Sequence, residues 1–542
     1  MRKTFLFGSF LLATFFVFAQ EVRPVKNIIL MVTDGTSIDV LSAARWYQIY
    51  NKMGDGLYVD PYLCGTVRTF SSNAPIGDSA PTTSCYMTGV LQQTGNIAIH
   101  PVADPGNDLY PVDASRTYQP AATLLEAMRI EQGKSTGLVV TCEFPHATPA
   151  DCAAHYYSRG NYKALAPQIA YQNLDVMFGG GTGIVTDDMR RHLSENGTTY
   201  ITDDRRAMLD YDGNRVWALF GDRAQPYDID RDPEKVPSLD EMTRKALTIL
   251  SKNPNGFFLM VEGSKVDWAA HANDPIGIIT EFIAFDKAVG SVMDFAKKNG
   301  ETVVVVTSDH GNSGFSIGRR DCHGYDKLSL ADLFGGVSKY KRTSTGLEAI
   351  LKKRQPEEIR SEFKKYTDID ITDAELKRLL ESKNYKVGDY MNVSNSENLT
   401  KHIVDIMNSR TCFGYTTGGH TGEDVFLACY HPKGDILMGH RKNTEVNRYL
   451  CQAAGLQTTL TQLSDRIFVK HTDVFSGMDY TIDKKNKEIP VLIVKKGKNR
   501  LEIPAFSSVA KRNGKPFDIG SVVVYIDKND TFYLPLDLAE ND

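Results

Sequence analysis

Asn27-Ile28-Ile29-Leu30-Met31-Val32-Thr33-Asp34-Gly35, or NIILMVTDG, is an unbroken apolar run that stops on an acid and a glycine. A strand with one wet face alternates apolar and polar side chains. A run without alternation reads instead as a strand buried on both faces, the kind found in parallel sheets. Three further runs read the same way: Ser135–Thr141 (STGLVVT), Gly256–Val261 (GFFLMV) and Thr302–Thr307 (TVVVVT). Helical patterns lie between them, among them Ser238–Leu250 and Ile279–Lys298. Strands alternating with helices predict an α/β fold, with a central, mainly parallel sheet flanked by helices.

The four runs end in residues able to do chemistry: Asp34, Cys142-Glu143, Glu262 and Asp309-His310. Ligand sites in open α/β sheets gather at the carboxyl ends of strands. Glu262 leads into EGSKVDWAAH, where Asp267 and His271 stand four apart and share one face of a helix. His420 sits in the glycine-flanked loop GGHTGED. Together these are three aspartates, three histidines and a glutamate. Zinc takes histidine nitrogen and carboxylate oxygen. Glu262, Asp34 and a hydroxyl suit a harder ion such as magnesium.

IGDSAPTTSCYMTG, from Ile76 to Gly89, places Ser79 after turn residues and before small residues that start a helix, with Pro81 in its first turn. No histidine is near in sequence to activate the serine. A metal ion can do so, and a helix N-terminus favours anionic oxygen. The same residues also suit a plain helix cap with no chemistry. HATPADCAAHYYSR, from His146 to Arg159, offers the Thr148 hydroxyl and ends what reads as a helical run on Arg159. A guanidinium holds two phosphate oxygens in a planar fork, although an arginine alone also suits a plain surface.

The chain has 542 residues, 42% hydrophobic and 24% charged, enough for one large domain with insertions. Its 62 basic and 67 acidic residues leave a net charge of −5, which excludes the basic footprint of a nucleic-acid binder. Residues 1–19, MRKTFLFGSFLLATFFVFA, read as a signal peptide cleaved after Ala19, predicting export to a periplasm or the exterior. No later stretch is long and apolar enough to span a bilayer. Eight cysteines form no CxxC zinc pattern, and their pairing is left open. Residues 320–408 are rich in Lys and Glu and read as short helices. They form either a cap inserted over the sheet edge or a solvated helical surface. Residues 455–542 turn β-like and predict a small C-terminal β subdomain, leaving 20–319 and 409–454 for the catalytic domain. FGGGTG at Phe178–Gly183 lacks a P-loop lysine and reads as a tight turn.

In order along the chain, NIILMVTDG, GDSAPTTSCYMTG, HATPADCAAHYYSR, FFLMVEGSKVDWAAHAND, VVVVTSDHG and GGHTGED resemble the alkaline phosphatase family, over roughly residues 25–320 and 410–455. The resemblance implies that Ser79 is the nucleophile and becomes phosphoserine. It implies one zinc on Asp267, His271 and His420, which activates water and assists the leaving group. A second zinc on Asp34, Asp309 and His310 stabilises the Ser79 alkoxide. A magnesium site bordered by Asp34 is completed by Thr148 and Glu262, and Arg159 grips the phosphate oxygens. The implied substrates are small phosphate monoesters, and family members are commonly homodimers. His146 stands where some members carry aspartate, which opens the third ion to a transition metal. Trp268 stands where others carry lysine or histidine, which alters phosphate affinity or release. A sulfatase would need arginine where Thr83 ends SAPTT, and a diesterase would want an open site where Arg159 stands. A binding protein that has lost turnover would not keep Ser79, Arg159 and every metal ligand.

Overall fold

In the computed structural model, which describes residues 22–384 and 390–539, NIILMVT forms strand β1 (Asn27–Thr33), buried throughout. The leader over residues 1–19 lies outside the described residues. The next strands are β2 (Leu63–Arg68), β3 (Ser135–Glu143), β4 (Val176–Gly180), β5 (Thr199–Thr202), β6 (Val216–Leu219), β7 (Phe257–Gly263) and β8 (Thr302–Thr307). They are followed by β9 (Gly311–Asn312), β10 (Ser316–Ile317), β11 (Phe413–Gly414), β12 (His420–Thr421), β13 (Val425–Tyr430) and β14 (Gly439–Lys442). Ten of these strands form one sheet in the order β14-β2-β13-β8-β1-β7-β3-β4-β6-β5. β13 runs antiparallel to β8 and β2, and the remaining neighbours are parallel.

The unbroken apolar run has a simple cause. Ile28, Leu30 and Val32 pack into the core on one face of the sheet, and Ile29 and Met31 into the core on the other. Truncating such a side chain to alanine removes about 2–5 kcal/mol. Three strand ends differ from the sequence reading, β7 also running past Val261 to Gly263. β3 continues past Thr141 to Glu143, its Thr141 and Cys142 N–H groups donating to Ser264 Oγ at 3.1 Å. β7 starts one residue late because Gly256 has φ +91°, outside strand geometry. The helix Leu239–Leu250 starts behind a Ser238/Glu241 capping box, and Gly277–Asn299 stops at Gly300 with φ +71°. In FGGGTG, Phe178 to Gly180 are still strand, and the turn begins at Gly181. A Cβ on Gly180 would meet the Arg223 carbonyl at 2.1 Å, so this glycine answers a close backbone approach rather than a phosphate.

The stretch between β10 and β11 holds the helices Leu330–Phe334, Ser344–Leu351, Ile359–Thr367, Asp373–Ser382 and Leu399–Asn408. β10 pairs with β11, and the Cys322–Cys412 disulfide joins the two feet, 5.6 Å apart between Cα atoms. Phe334, Leu347, Phe363 and Leu379 join the same core as Ile29 and Met31. Leu330–Phe334 packs against the helix Ile38–Tyr50, and the segment from Tyr390 packs against the helix Lys265–His271. After Ala454 the chain first makes the helix Leu460–Ile467, with a Thr459/Gln462 capping box that the sequence reading passed over. Five- and three-stranded antiparallel sheets follow, and their Leu492, Ile503, Val524 and Phe532 join the core of Ile28 and Leu30. No helix among the described residues is long and apolar enough to cross a membrane.

Candidate functional site

The sheet order places β8, β1, β7 and β3 side by side, so Asp309-His310, Asp34, Glu262 and Cys142 emerge together. Asp34, Asp309 and His310 have no exposed surface, and their ligand atoms lie within 4.8 Å of one another. His310 Nε2 is 3.4 Å from Asp34 Oδ1 and 3.5 Å from Asp309 Oδ2. The Gly35 and His310 N–H groups each donate to Asp309 Oδ1 at 3.0 Å and fix that carboxylate. Asp34 Oδ2 and Asp309 Oδ2 are buried with no hydrogen-bond partner. A buried, unpaired carboxylate oxygen is costly unless a cation answers it. Burial, and then the charge of Asp309, pushes the Asp34 carboxyl well above its ordinary range.

Asp267 and His271 lie on the helix Lys265–His271, which leaves the end of β7, and the four-residue spacing brings Oδ2 and Nε2 to 3.5 Å. β12 pairs with β9, His420 facing Asn312, and this carries His420 over the same spot. His271 Nδ1 contacts the Gly418 carbonyl at 2.8 Å, and His420 Nδ1 the Gly77 carbonyl at 3.0 Å. A carbonyl only accepts, so each Nδ1 carries the proton and each Nε2 keeps a lone pair. Those two Nε2 atoms face each other at 3.2 Å. Two lone pairs cannot bond each other, but they can share a cation. Burial pushes Asp267 up, yet His271, His420 and His310 outweigh it and hold the carboxyl below its usual range. Burial, with His310 beside it, lowers His420 to about 4, so the ring is neutral and ready as a ligand.

Ser79 opens the helix Ser79–Thr88, with Asp78 at its N-cap. Its hydroxyl is 3.3 Å from Asp34 Oδ1 and 3.2 Å from His310 Nε2. The histidine missing near the serine in sequence is supplied from 231 positions away. Arg159 is not on a helix as expected. The helix Ala147–Ala153 ends because Ala154 is extended (φ −148°, ψ 165°) and Tyr156 bridges Ile97. Arg159 stands in the turn beyond, ion-paired to Asp78. The sequence shows Asp78 only as an acid beside Ser79 that suits a helix cap, and its pairing with Arg159 is not legible there.

Glu262 Oε1, Thr148 Oγ1 and His146 Nδ1 are buried with no hydrogen-bond partner, a third set of donor atoms beside the other two. Burial pushes Glu262 up to about 8. Two residues here had no role assigned from the sequence. Cys142, noted there only as a strand-end residue, groups with His146 and Glu262. Tyr390 comes from the helical stretch. Its hydroxyl lies 3.1 Å from His146 Nε2 and its ring stacks on Trp268, centroids 4.5 Å apart. Nothing in its local sequence points there. A cleft of about 1160 Å³ opens over the site, lined by Asp78, His146, Arg159, Trp268, Tyr390 and His420.

Residues 25–456 match the family model for alkaline phosphatase. The chain belongs to the alkaline phosphatase family. It is 32% identical to alkaline phosphatase 3 of Bacillus subtilis over 445 residues, covering 79% of this chain and 89% of that one. The solved cold-active alkaline phosphatase of a psychrophilic Shewanella is 26% identical, with a TM-score of 0.67 over 79% of this chain and 99% of that one. A solved variant of the TAB5 alkaline phosphatase with Mg bound is 22% identical, with a TM-score of 0.55 over 81% of this chain and 100% of that one, and shares the fold. This alkaline phosphatase homologue is thus a phosphomonoesterase with three groups of residues fit to bind metal.

Proposed function

We propose that the chain hydrolyses small phosphate monoesters to alcohol and inorganic phosphate through a phosphoserine on Ser79. The observation that carries this reading is the Ser79 hydroxyl at a helix start, against Asp34 Oδ1 and His310 Nε2 at 3.3 and 3.2 Å. Asp267, His271 and His420 would hold one zinc, and Asp34, Asp309 and His310 a second. Asp34, Glu262 and Thr148 would hold a third, magnesium-type ion, whose identity His146 leaves open. Such ions act as Lewis acids, lowering the pKa of hydroxyl and water and neutralising charge on phosphoryl oxygens.

The chain's own groups do the positioning on which phosphoryl transfer depends. Arg159, braced by Asp78, presents its fork to two non-bridging oxygens of the phosphate. Ser79 Oγ attacks phosphorus, the ester O–P bond breaks on the opposite side, and the serine proton ends on the departing alcohol. Water then attacks the same phosphorus, which restores Ser79 and releases phosphate. The apolar leader over residues 1–19 supports export of the enzyme.

The test is Ser79→Ala. Turnover of a nitrophenyl phosphate should fall on the order of 10⁴-fold, with bound metal unchanged. Acid-quenched wild type should carry one phosphate on Ser79 by mass spectrometry. A variant that loses its metal, or a wild type labelled elsewhere, would overturn the assignment.

A further inference from the structure

The third donor group differs in kind from the other two. Cys142, His146 and Glu262 offer one sulfur, one nitrogen and one oxygen, all on buried residues, with ligand atoms within 4.8 Å of one another. Cys142 Sγ lies 3.4 Å from Glu262 Oε2. Glu262 Oε1 and His146 Nδ1 are buried with no partner. The other His146 nitrogen meets the Tyr390 hydroxyl at 3.1 Å and Arg159 Nη2 at 3.3 Å, so the ring is held in place. The Cys142 backbone is pinned as well, its N–H donating to Ser264 Oγ at 3.1 Å. Magnesium takes hard oxygen donors, whereas thiolate and imidazole select zinc and its neighbours.

We infer that Cys142 and His146 add a sulfur and a nitrogen donor to the third site at Glu262, which makes its occupant a divalent transition ion such as zinc or cobalt, with Cys142 bound as thiolate, and not magnesium. On binding, the Cys142 S–H bond breaks, a sulfur–metal bond forms and the proton leaves to water. The inference rests on the reading that Glu262 faces a metal ion.

Cobalt loading of the full chain tests it. Wild type should show a near-ultraviolet thiolate-to-cobalt charge-transfer band. Cys142→Ser and Cys142→Ala should lose that band and keep the visible bands of cobalt held by the other two groups. Metal analysis of zinc-loaded protein against excess magnesium should find three zinc ions in wild type. In Cys142→Ala it should find two zinc and one magnesium, the third-site preference having shifted roughly tenfold or more. X-ray absorption on wild-type zinc protein needs no variant and should show a zinc–sulfur distance near about 2.3 Å. Three bound ions with no sulfur signal would overturn this inference and leave the phosphoserine reading standing. A band that survives Cys142→Ser would belong to another thiol and also overturn it. Only two ions per chain would remove the third-ion reading along with it, and neither result bears on labelling of Ser79.

Discussion

The two groups that flank Ser79's surroundings use nearly the same donors in different settings. Asp34, Asp309 and His310 sit at the ends of the adjacent strands β1 and β8 and have no exposed surface. Asp267, His271 and His420 come from a helix and a two-residue strand, and His420 keeps 16% of its side chain exposed at the cleft. The inner group has two carboxylates to one imidazole, and the outer group the reverse. Only the inner group touches the serine. On the proposed mechanism this divides the labour: the dry, carboxylate-rich group serves the nucleophile, and the open, imidazole-rich group serves the leaving group and water.

The sharpest way to break that division is to remove a carboxylate from the inner group. Asp34→Asn should lower activity on the order of 10³-fold or more. It should also raise the melting temperature of chelated protein near pH 8. The sign follows from the raised Asp34 pKa. The folded chain binds a proton that the unfolded chain gives up at ordinary carboxylate pH. Stability from this group is full below the unfolded value and is lost as pH rises through the folded one. Asparagine removes that loss. His420→Ala should lose activity yet leave the melting temperature of chelated protein nearly unchanged. Calorimetry of both variants after chelation checks this, and equal shifts would erase the distinction between the groups.

Arg159→Ala comes next. Loss of a preorganised cation should lower kcat/KM for a phosphate monoester about 10²-fold, and for a matched diester less. Equal losses would remove Arg159 from the choice between esters. Titration of His420 is a gentler probe. With its pKa lowered to about 4 by burial and by His310 beside it, protons reach the ring only near that pH. Its ring resonances in chelated protein, followed by nuclear magnetic resonance, should hold steady through pH 6.5 and move only well below it. A transition at the ordinary histidine value would contradict the buried setting. Tyr390→Phe should have the smallest effect. It removes one hydrogen bond to His146, worth about 0.5–1.5 kcal/mol, so kcat/KM should move about tenfold or less.

The sequence made the inner frame legible for a physical reason. A strand buried on both faces must be apolar throughout, so the runs before Asp34, Glu262 and Asp309 announced themselves, and strand ends are where α/β sites lie. The Asp267/His271 pair was legible because helix geometry fixes which positions share a face. What stayed hidden depended on distant chain. His310 reaches Ser79 from 231 positions away. Tyr390 lies in a stretch whose local pattern is only that of amphipathic helices. Cys142 was visible at a strand end, but its neighbourhood with His146 depends on how the helix Ala147–Ala153 turns off β3. Arg159 was assigned to a helix because nothing local signals the Tyr156–Ile97 bridge that ends it.

The feet of the helical stretch stand 5.6 Å apart, bound by the Cys322–Cys412 disulfide and the β10–β11 pair. The chain therefore leaves the catalytic frame and returns to it at nearly one point. Between the feet the stretch is also stitched to that frame, the Ser344 N–H donating to Asp274 Oδ2 at 2.5 Å and Asn408 Nδ2 to the Asn273 carbonyl at 2.8 Å, with Phe334 and Leu347 in the shared core. For a protein engineer the joint is a defined place to cut. A new wall grafted there would have to carry its own share of that core, as well as a group in the place of Tyr390.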